Sequence, residues 1–524
     1  MPTFSNQSNK THILMKKSFV TALLASAAIS AQATNEPAQM TGLNGYTVDP
    51  VFTIGESING YLPVGIPDGM SAYDAGEQVL LLMNHELNNG QGYPYILANG
   101  TALIGARVSA FAIDKETRKI TDGGLAFNTI YNRAGEIVDD SSDLEFGALN
   151  RLCSAYGVEA GKDGFVDAIF FTGEETGGGT EWALDVDNQV LWAAPALGRG
   201  AWESVTSLNV PSINNTHVAI LLGDDRGAAP LYLYVGKKAP SGTFLERNGL
   251  AEGKLYMWKA NDGSDQPAEF TGTGTFKSGY FVEVENYNPA KAGTPGYDAL
   301  GYADQASLDA QRNTLGAFRF SRPEDLHTNP SNGTQVVFAS TGRSLTLDGV
   351  SDNADLWGTT YIIDVKLNKG DTKKNKISAN LRVSFDGDDA NGNGLAHPDF
   401  GIRSPDNLTW ASNHFAYIQE DRSVGGFGDE SGEETSIWRL KTQNGSILRV
   451  AQMDRSAIPT GQTDFAPSDL GNWESSGIID ASALFGEKKG DLLLFNVQAH
   501  SLNGGIIATE NLAQGGQILF LKSK

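Results

Sequence analysis

Six segments of the chain share one pattern, in which a short run of β-branched or aliphatic residues ends in polar, mostly acidic residues. They are residues 79–86, 168–175, 218–225, 336–341, 415–421 and 492–500. Short apolar runs bounded by turn residues are typical of buried strands.

Each run is followed, after a Gly-rich or polar turn, by a second strand-like segment. These partners are residues 108–114, 182–185, 231–235, 361–365, 437–440 and 518–521. Two such segments joined by a turn predict a β-hairpin. Helical periodicity is scarce, and residues 304–313 are the best helix candidate. We predict an all-β, six-bladed β-propeller with long inter-blade insertions, because the spacing of the six units is irregular. An array of β-sandwiches is the competing architecture.

The acidic ends of these runs have a chemical consequence. Equivalent strands of a propeller end on one face around a central channel, so the acids of several blades would converge there. Clustered carboxylates repel one another and stay ionised together only with cations between them. The alternative for any single pair is an acid that begins a solvated turn. The set as a whole, together with the cysteine discussed below, favours metal binding.

The N-terminal residues resemble a leader. Met15 is followed by two lysines, an apolar run over residues 19–29 and Ala-Gln-Ala at residues 31–33. This is the pattern of a Sec-type signal peptide, and the apolar run is too short to span a bilayer. We therefore divide the chain into residues 1–33, an N-terminal extension plus signal peptide with Met15 as an alternative start, and residues 34–524, a single catalytic propeller domain. The expected location is periplasmic or secreted.

The net charge restricts the classes of binding partner. The formal charge of the chain is −23, and removal of three leader lysines makes residues 34–524 still more acidic. Such a surface repels nucleic acid and anionic lipid, so neither is expected as a partner, and no protein partner is inferred.

The only cysteine, Cys153, cannot form an internal disulfide. It is a buried small hydrophobe, a free thiol or a metal ligand.

A second metal signal lies in an acidic, glycine-rich loop. Asp389, Asn391, Asn393 and Gly394 have the spacing of the first, third and fifth ligands and the glycine of a calcium loop. Phe400 at the twelfth position cannot supply the bidentate carboxylate of an EF-hand. A structural calcium loop and an Asx-rich turn both remain open.

Other familiar catalytic patterns are missing from the sequence. We find no nucleophile elbow with a credible triad, no phosphate-binding P-loop, no His-Glu-x-x-His motif and no dinucleotide fingerprint. The seven histidines are scattered, which disfavours a histidine-rich zinc site.

Nine short motifs in a fixed order carry a family resemblance. They are Asn84-His85-Glu86, Leu152-Cys153-Ser154, Gly173-Glu174-Glu175, Leu197-Gly198-Arg199 with Trp202-Glu203, Gly223-Asp224-Asp225, Arg322-Pro323-Glu324-Asp325, Pro405-Asp406-Asn407, Glu474-Ser475-Ser476-Gly477 and Gln498-Ala499-His500. The series resembles the PhoX-type alkaline phosphatases, a family of six-bladed propellers, over nearly all of residues 34–524.

The resemblance implies a cluster of two ferric ions and several calcium ions around a bridging oxide. Cys153 matches the iron-binding cysteine, Glu203 matches the glutamate of a His-Glu motif whose histidine is here a tryptophan, and Glu324 matches a further ligand. Five more carboxylates match the cluster, and the metal that each binds is left open: Glu174, Glu175, Asp225, Asp406 and Glu474. Thiolate suits iron and hard oxygen donors suit calcium.

The resemblance also makes Arg322 the phosphate-binding, catalytic arginine, and its planar fork suits phosphate oxygens. A salt bridge to a neighbouring acid is the alternative. The expected activity is hydrolysis of phosphate monoesters, with Ca²⁺ and Fe³⁺ as cofactors and a small phosphorylated substrate. The leader lacks the twin arginines of most members, so iron would have to be loaded outside the cytoplasm, or the site holds calcium alone. The alternatives are a calcium-dependent propeller esterase or phytase-like hydrolase, and a non-catalytic, calcium-stabilised surface binding protein.

Overall fold

β-Strands make up most of the regular structure in the computed structural model, which describes residues 34–524. The first eighteen are β1 Met40–Gly42, β2 Tyr46–Thr53, β3 Pro67–Ala75, β4 Gln78–His85, β5 Tyr95–Ile96, β6 Ala102–Leu103, β7 Arg107–Asp114, β8 Ile120–Leu125, β9 Thr129–Tyr131, β10 Leu152–Val158, β11 Ile169–Glu174, β12 Glu181–Asp185, β13 Val190–Ala193, β14 Trp202–Ser207, β15 His217–Asp224, β16 Gly227–Ala229, β17 Tyr232–Lys237 and β18 Glu252–Ala260.

The remaining strands are β19 Phe276–Val284, β20 Phe320–Ser321, β21 Pro323–Thr328, β22 Gln335–Ser340, β23 Leu345–Leu347, β24 Val350–Asp352, β25 Thr359–Val365, β26 Lys376–Asp386, β27 Pro405–Trp410, β28 Ala416–Glu420, β29 Ser436–Lys441, β30 Ser446–Met453, β31 Thr463–Asp464, β32 Glu474–Asp480, β33 Leu492–Ala499, β34 Leu502–Asn503 and β35 Gly515–Ser523. The α-helices within residues 34–524 are α1 Phe244–Arg247, α2 Gln305–Leu315 and α3 Gly505–Thr509. Short 3-10 helices span Ser141–Asp143, Pro195–Leu197, Pro267–Glu269, Pro289–Lys291, Asp371–Lys373 and Pro398–Phe400.

The larger sheets are built mainly from antiparallel strands, and the pairing of β13 with β9 is parallel. Their orders are β3-β4-β7-β8, β10-β11-β12-β13-β9, β14-β15-β17-β18-β19-β26-β25-β22-β21, β27-β28-β29-β30-β1 and β32-β33-β35-β2. All six predicted strand pairs are present, namely β4–β7, β11–β12, β15–β17, β22–β25, β28–β29 and β33–β35. The prediction of an all-β fold is confirmed.

Six strands lie at the middle of the molecule, and we call β3, β10, β14, β21, β27 and β32 the inner strands. Each contacts the next along the chain, and β32 contacts β3, so the contacts form a closed ring. Strand β2 pairs with β35, which joins the start of the described chain to its end. The sheets therefore radiate around a common axis in a propeller-like arrangement.

The second strand of each sheet is buried on both faces, which explains its continuous apolar run. In β4, Leu80 and Leu82 pack toward the sheet that contains β10, whereas Leu81 and Met83 pack toward the sheet that contains β33. Alternation along a strand sends successive side chains to opposite faces. Each of these strands therefore contributes to two cores.

We expect the core between neighbouring sheets to make the largest contribution to stability. A substitution of Leu494 on β33 tests this expectation. Its side chain is fully buried in the core shared with β4 and β7. We expect Leu494→Ala to lower the free energy of unfolding by about 2–5 kcal/mol, measured by urea denaturation. Val350→Ala is the matched control, because Val350 is 69% exposed and its loss should change stability by less than about 0.5 kcal/mol. Equal effects of the two substitutions would contradict this account of the core.

The predicted helix at residues 304–313 is present as α2. The Asp304 side chain accepts the N–H of Ser307 at 2.8 Å and caps its N-terminus. Gly316 ends the helix in a left-handed conformation, with φ of 61°.

Candidate metal centre

The inner strands share a register irregularity that positions their polar residues. In β10, Leu152 pairs with Glu174, the next pair is Ala155 with Thr172, and one extra residue therefore lies on β10. The same bulge interrupts β3, β14, β21 and β27 directly after Pro67, Trp202, Pro323 and Pro405. A bulge bends the strand and redirects a side chain. The redirected residue is the one directly after the first pair of the inner strand, such as Cys153 after Leu152 in β10.

The residues at these positions are ligand types. On the inner strands they are Asp68, Cys153, Glu203, Glu324, Asp406 and, on the first residue of β32, Glu474. Directly after the second strands, at the partner positions, lie Glu86, Glu175, Asp225 and Asp421. Four of the six inner strands thus present their ligand-type residue together with an acid from the strand beside it.

Nine of these side chains form four overlapping groups, which we call the acidic centre. The groups are Asp68–Glu86–Cys153, Cys153–Glu175–Glu203, Glu203–Glu324–Asp406 and Asp406–Asp421–Glu474, and the ligand atoms within each lie within 4.8 Å of one another. Cys153, Glu203 and Asp406 each belong to two groups, so the four are continuous. Each group has the donor atoms to hold a metal ion.

Cys153 lies where two groups meet. Its buried Sγ is 3.2 Å from Oδ2 of Asp68 and 3.1 Å from Oε1 of Glu203. Burial, with the neighbouring carboxylates, raises the pKa of the Cys153 thiol well above its usual range. The neutral thiol therefore has one proton to donate to one of these two acids, and a bound cation would replace that proton.

Burial has the same effect on the acids of the centre. It raises the pKa of Asp68, Glu203 and Glu324 well above the usual range, and the same holds for Glu175, Asp406 and Glu474. The buried oxygens Oδ1 of Asp68 and Oδ1 of Asp406 have no hydrogen-bond partner within residues 34–524. Buried oxygens without donors are costly, and a coordinated cation would satisfy them. The residues present therefore fit a group of metal ions.

Arg322 borders the centre. Its Nε lies 2.7 Å from Oδ1 of Asp225, and its Nη2 lies 2.8 Å from Oε1 of Glu324. Burial favours the neutral form of Asp225, but Arg322 outweighs it and lowers the pKa of that carboxyl below its usual range. The salt bridge considered as an alternative for Arg322 is thus present, whereas its contact with phosphate stays a prediction.

Glu174 lies apart from the four groups, although it was predicted as a ligand. Its carboxylate accepts the backbone N–H groups of Asn150 at 3.2 Å and Thr180 at 3.1 Å. Glu174 pairs across the ladder with Leu152, whereas Glu175 is one residue further and contacts the centre. Strand alternation separates the two adjacent acids.

The predicted calcium loop also lies apart from the groups. Oδ1 of Asp389 accepts the N–H of Gly392 at 2.9 Å, and Oδ1 of Asn393 accepts the Thr273 hydroxyl at 2.7 Å. Asn391 is exposed and belongs to none of the four groups. These contacts are those of an Asx-rich turn, and calcium binding here stays a prediction.

The structure adds Asp68, Glu86 and Asp421 to the predicted ligand types. Glu86 and Asp421 end two of the repeated runs, so the repeat itself indicated them. Asp68 had a weaker signal. Its Pro-Asp sequence at the start of an inner strand matches Pro405-Asp406 in the same position of β27.

The protein is thus a propeller-like scaffold with an acidic centre. Acids and one cysteine from the starts of its inner strands form that centre. The family model described as alkaline phosphatase PhoX matches residues 184–477, more than half of the chain. The chain belongs to this family and is a phosphatase, a hydrolase.

One solved structure supports the fold. The chain is similar to Pseudomonas fluorescens PhoX, solved in complex with vanadate, a transition-state analogue, at 17% identity over 95% of this chain and 98% of that one, with a TM-score of 0.63. A Bacteroides uniformis protein provisionally assigned as a 6-phosphogluconolactonase has 11% identity over 72% of this chain and 82% of its own, with a TM-score of 0.29 that supports no inference. No curated protein sequence matches the chain.

Within residues 34–524, none of the helices has the length and apolar character needed to cross a bilayer. The predicted signal peptide, residues 1–33, lies outside the described residues.

Proposed function

We propose that this phosphatase hydrolyses phosphate monoesters at an iron and calcium cluster held by the acidic centre. The observation that carries the proposal is the gradient of donor types along the four groups. Two groups contain Cys153, and the other two contain only carboxylates. A thiolate favours iron, whereas carboxylate oxygens favour calcium. The Cys153 groups would hold iron, and the groups around Asp406 would hold calcium.

The chain's own residues have separate roles in this mechanism. Bound metal ions supply Lewis-acid polarisation of the phosphoryl oxygens and screen the acids from an anionic substrate. Arg322, fixed by Asp225 and Glu324, presents its guanidinium to the equatorial oxygens, where charge develops in the transition state. Asp225 positions Arg322. The burial of the centre keeps bulk water from weakening these contacts.

We also propose that the scaffold is a single domain of six blades. The nine-stranded sheet divides between β19 and β26 into two four-stranded units with an extra strand, each unit beginning at an inner strand. Six inner strands form the ring, and all six carry a ligand-type residue at their start. Each of these features repeats once per expected blade.

The proposed location is periplasmic or secreted, as the leader pattern predicts. The proposed partner is a small phosphorylated substrate, without nucleic acid, membrane or protein partners. The acidity of the chain favours this restriction, since it repels other polyanions.

The test combines elemental analysis of the purified protein with turnover of p-nitrophenyl phosphate. We expect iron and calcium in the protein and turnover that depends on both. Turnover by protein that holds calcium without iron would replace the mixed cluster with a calcium-only hydrolase. Full turnover after exhaustive removal of both metals would contradict the proposed mechanism.

A further inference from the structure

We propose that Arg151 is a second arginine, in addition to Arg322, that borders the acidic centre and contacts the substrate's phosphoryl group. The proposal rests on the phosphate-monoester activity proposed above and names a contact that favours doubly charged substrates. Arg151 is not among the site residues that the sequence predicts.

Arg151 and Arg322 occupy the same place in two repeats of the fold. Each directly precedes an inner strand, β10 for Arg151 and β21 for Arg322. Each has a left-handed backbone, with φ of 47° for Arg151 and 68° for Arg322. Ile66 and Ser404, directly before β3 and β27, share this conformation with φ of 50° and 43°. Left-handed backbone is unfavourable for residues other than glycine and concentrates at functional sites.

The two guanidinium groups are also held in the same way. Nη2 of Arg322 contacts Asp225 and Glu324, and its Nε contacts Asp225. Nη2 of Arg151 lies 2.6 Å from Oε1 of Glu86 and also contacts Glu175, while its Nε donates to the Glu175 carbonyl at 3.1 Å. In both arginines Nε and Nη2 are bound by the protein. Neither Nη1 has a hydrogen-bond partner among the described residues, so each can donate to a ligand.

Both arginines border the acidic centre through their partner acids. Arg151 contacts Glu175 in the Cys153–Glu175–Glu203 group, and Arg322 contacts Glu324, which shares a group with Glu203. The side chain of Arg151 is 35% exposed, compared with 17% for Arg322. Arg151 is therefore the more accessible of the two cations that border the proposed metal site. It can reach a ligand that enters from solvent.

Charge indicates the class of ligand. A phosphate monoester carries two charges and three free oxygens at neutral pH, whereas a diester carries one charge and two free oxygens. A second guanidinium adds a charge-assisted hydrogen bond that the dianion can use more fully. Arg151 should therefore strengthen the binding of monoesters and inorganic phosphate more than that of diesters.

The experiment compares Arg151→Gln with the wild-type metal-loaded protein. We expect kcat/KM for p-nitrophenyl phosphate to fall about tenfold or more, mainly through KM. In calorimetric titration, affinity for inorganic phosphate should fall by a similar factor, and affinity for dimethyl phosphate should fall less. Metal content should not change. Arg151→Lys should recover part of the loss, because an ammonium keeps the charge but lacks the fork.

Arg199→Gln is the matched control. Arg199 pairs with Glu145 and donates to the Gly178 carbonyl, outside the four groups. Its substitution should leave phosphate affinity unchanged.

Three results would overturn the contact with substrate. They are phosphate affinity within about twofold of wild type in Arg151→Gln, an equal loss for phosphate and dimethyl phosphate, and a loss explained by lower metal content. If Arg151→Gln does not fold, Arg151→Lys is judged by the same comparison. A wild-type protein without phosphatase turnover would instead refute the proposed function, and phosphate titration would still test Arg151.

Discussion

Replacing Arg322 by alanine is expected to lower the turnover of phosphomonoesters by about a hundredfold. Loss of a preorganised donor to a developing oxyanion typically costs about 3 kcal/mol. Arg322 is half-buried and paired with Asp225 and Glu324, so its guanidinium is fixed before substrate binds. The measurement is kcat for p-nitrophenyl phosphate, divided by the number of metal ions bound per molecule.

Two variants separate catalysis from structure. Arg322→Lys should recover only part of the rate, because it keeps the charge and loses the bidentate geometry. Arg226→Ala is the matched control, since Arg226 pairs with Asp224 and Asp309, next to the centre and outside its groups. A near-normal rate per bound metal in Arg322→Ala would show that Arg322 is only a salt-bridge partner.

Removal of metal ions is expected to abolish turnover and to lower the melting temperature by several degrees. A ligand that binds only the folded state stabilises it by about 2.7 kcal/mol per site at a hundredfold excess over its dissociation constant. Differential scanning calorimetry with and without excess chelator measures the effect, and added calcium should restore part of it. An unchanged melting curve would show that the acids are not joined by cations.

The decrease in melting temperature on metal removal should also grow with pH. In the metal-free protein, burial raises the pKa of Asp68, Glu203 and Glu324, so folding favours their protonated forms. This contribution to stability is fully present below the unfolded-state pKa, roughly 4, and is lost as the pH rises through the raised values. Bound cations hold the same acids ionised. The difference in melting temperature between loaded and metal-free protein should therefore be small near pH 5 and larger near pH 8.

Much of the scaffold was predictable, because its second strands are buried on both faces. Runs such as residues 79–86 and 492–500 can bury their apolar side chains only between two other sheets. Their pattern therefore indicated that they are central strands and which segments they pair with. The inner strands gave no such signal. β3, with the sequence Pro-Asp-Gly-Met-Ser-Ala-Tyr-Asp-Ala, lines the axis with small and polar residues, and Asp68 at its start was missed.

Choosing between adjacent acids required information that the sequence lacks. Glu174 and Glu175 are chemically alike, and only the register with Leu152 decides which one contacts Cys153 and Glu203. Register and bulges depend on pairing across distant segments. The pairing of Arg151 with Glu86, 65 positions apart by numbering, has the same origin.

The pairing of β2 with β35 has a consequence for biosynthesis. Residues Tyr46–Thr53 are made early, and their partner Gly515–Ser523 is made much later. A nascent chain on the ribosome lacks the pairing of β2 with β35 until β35 has been made. Glu474, the first residue of β32, also appears late. Contacts between such distant segments form slowly. The complete set of ligands can therefore come together only after Glu474 has been made, so the acidic centre is assembled late in the synthesis of the chain.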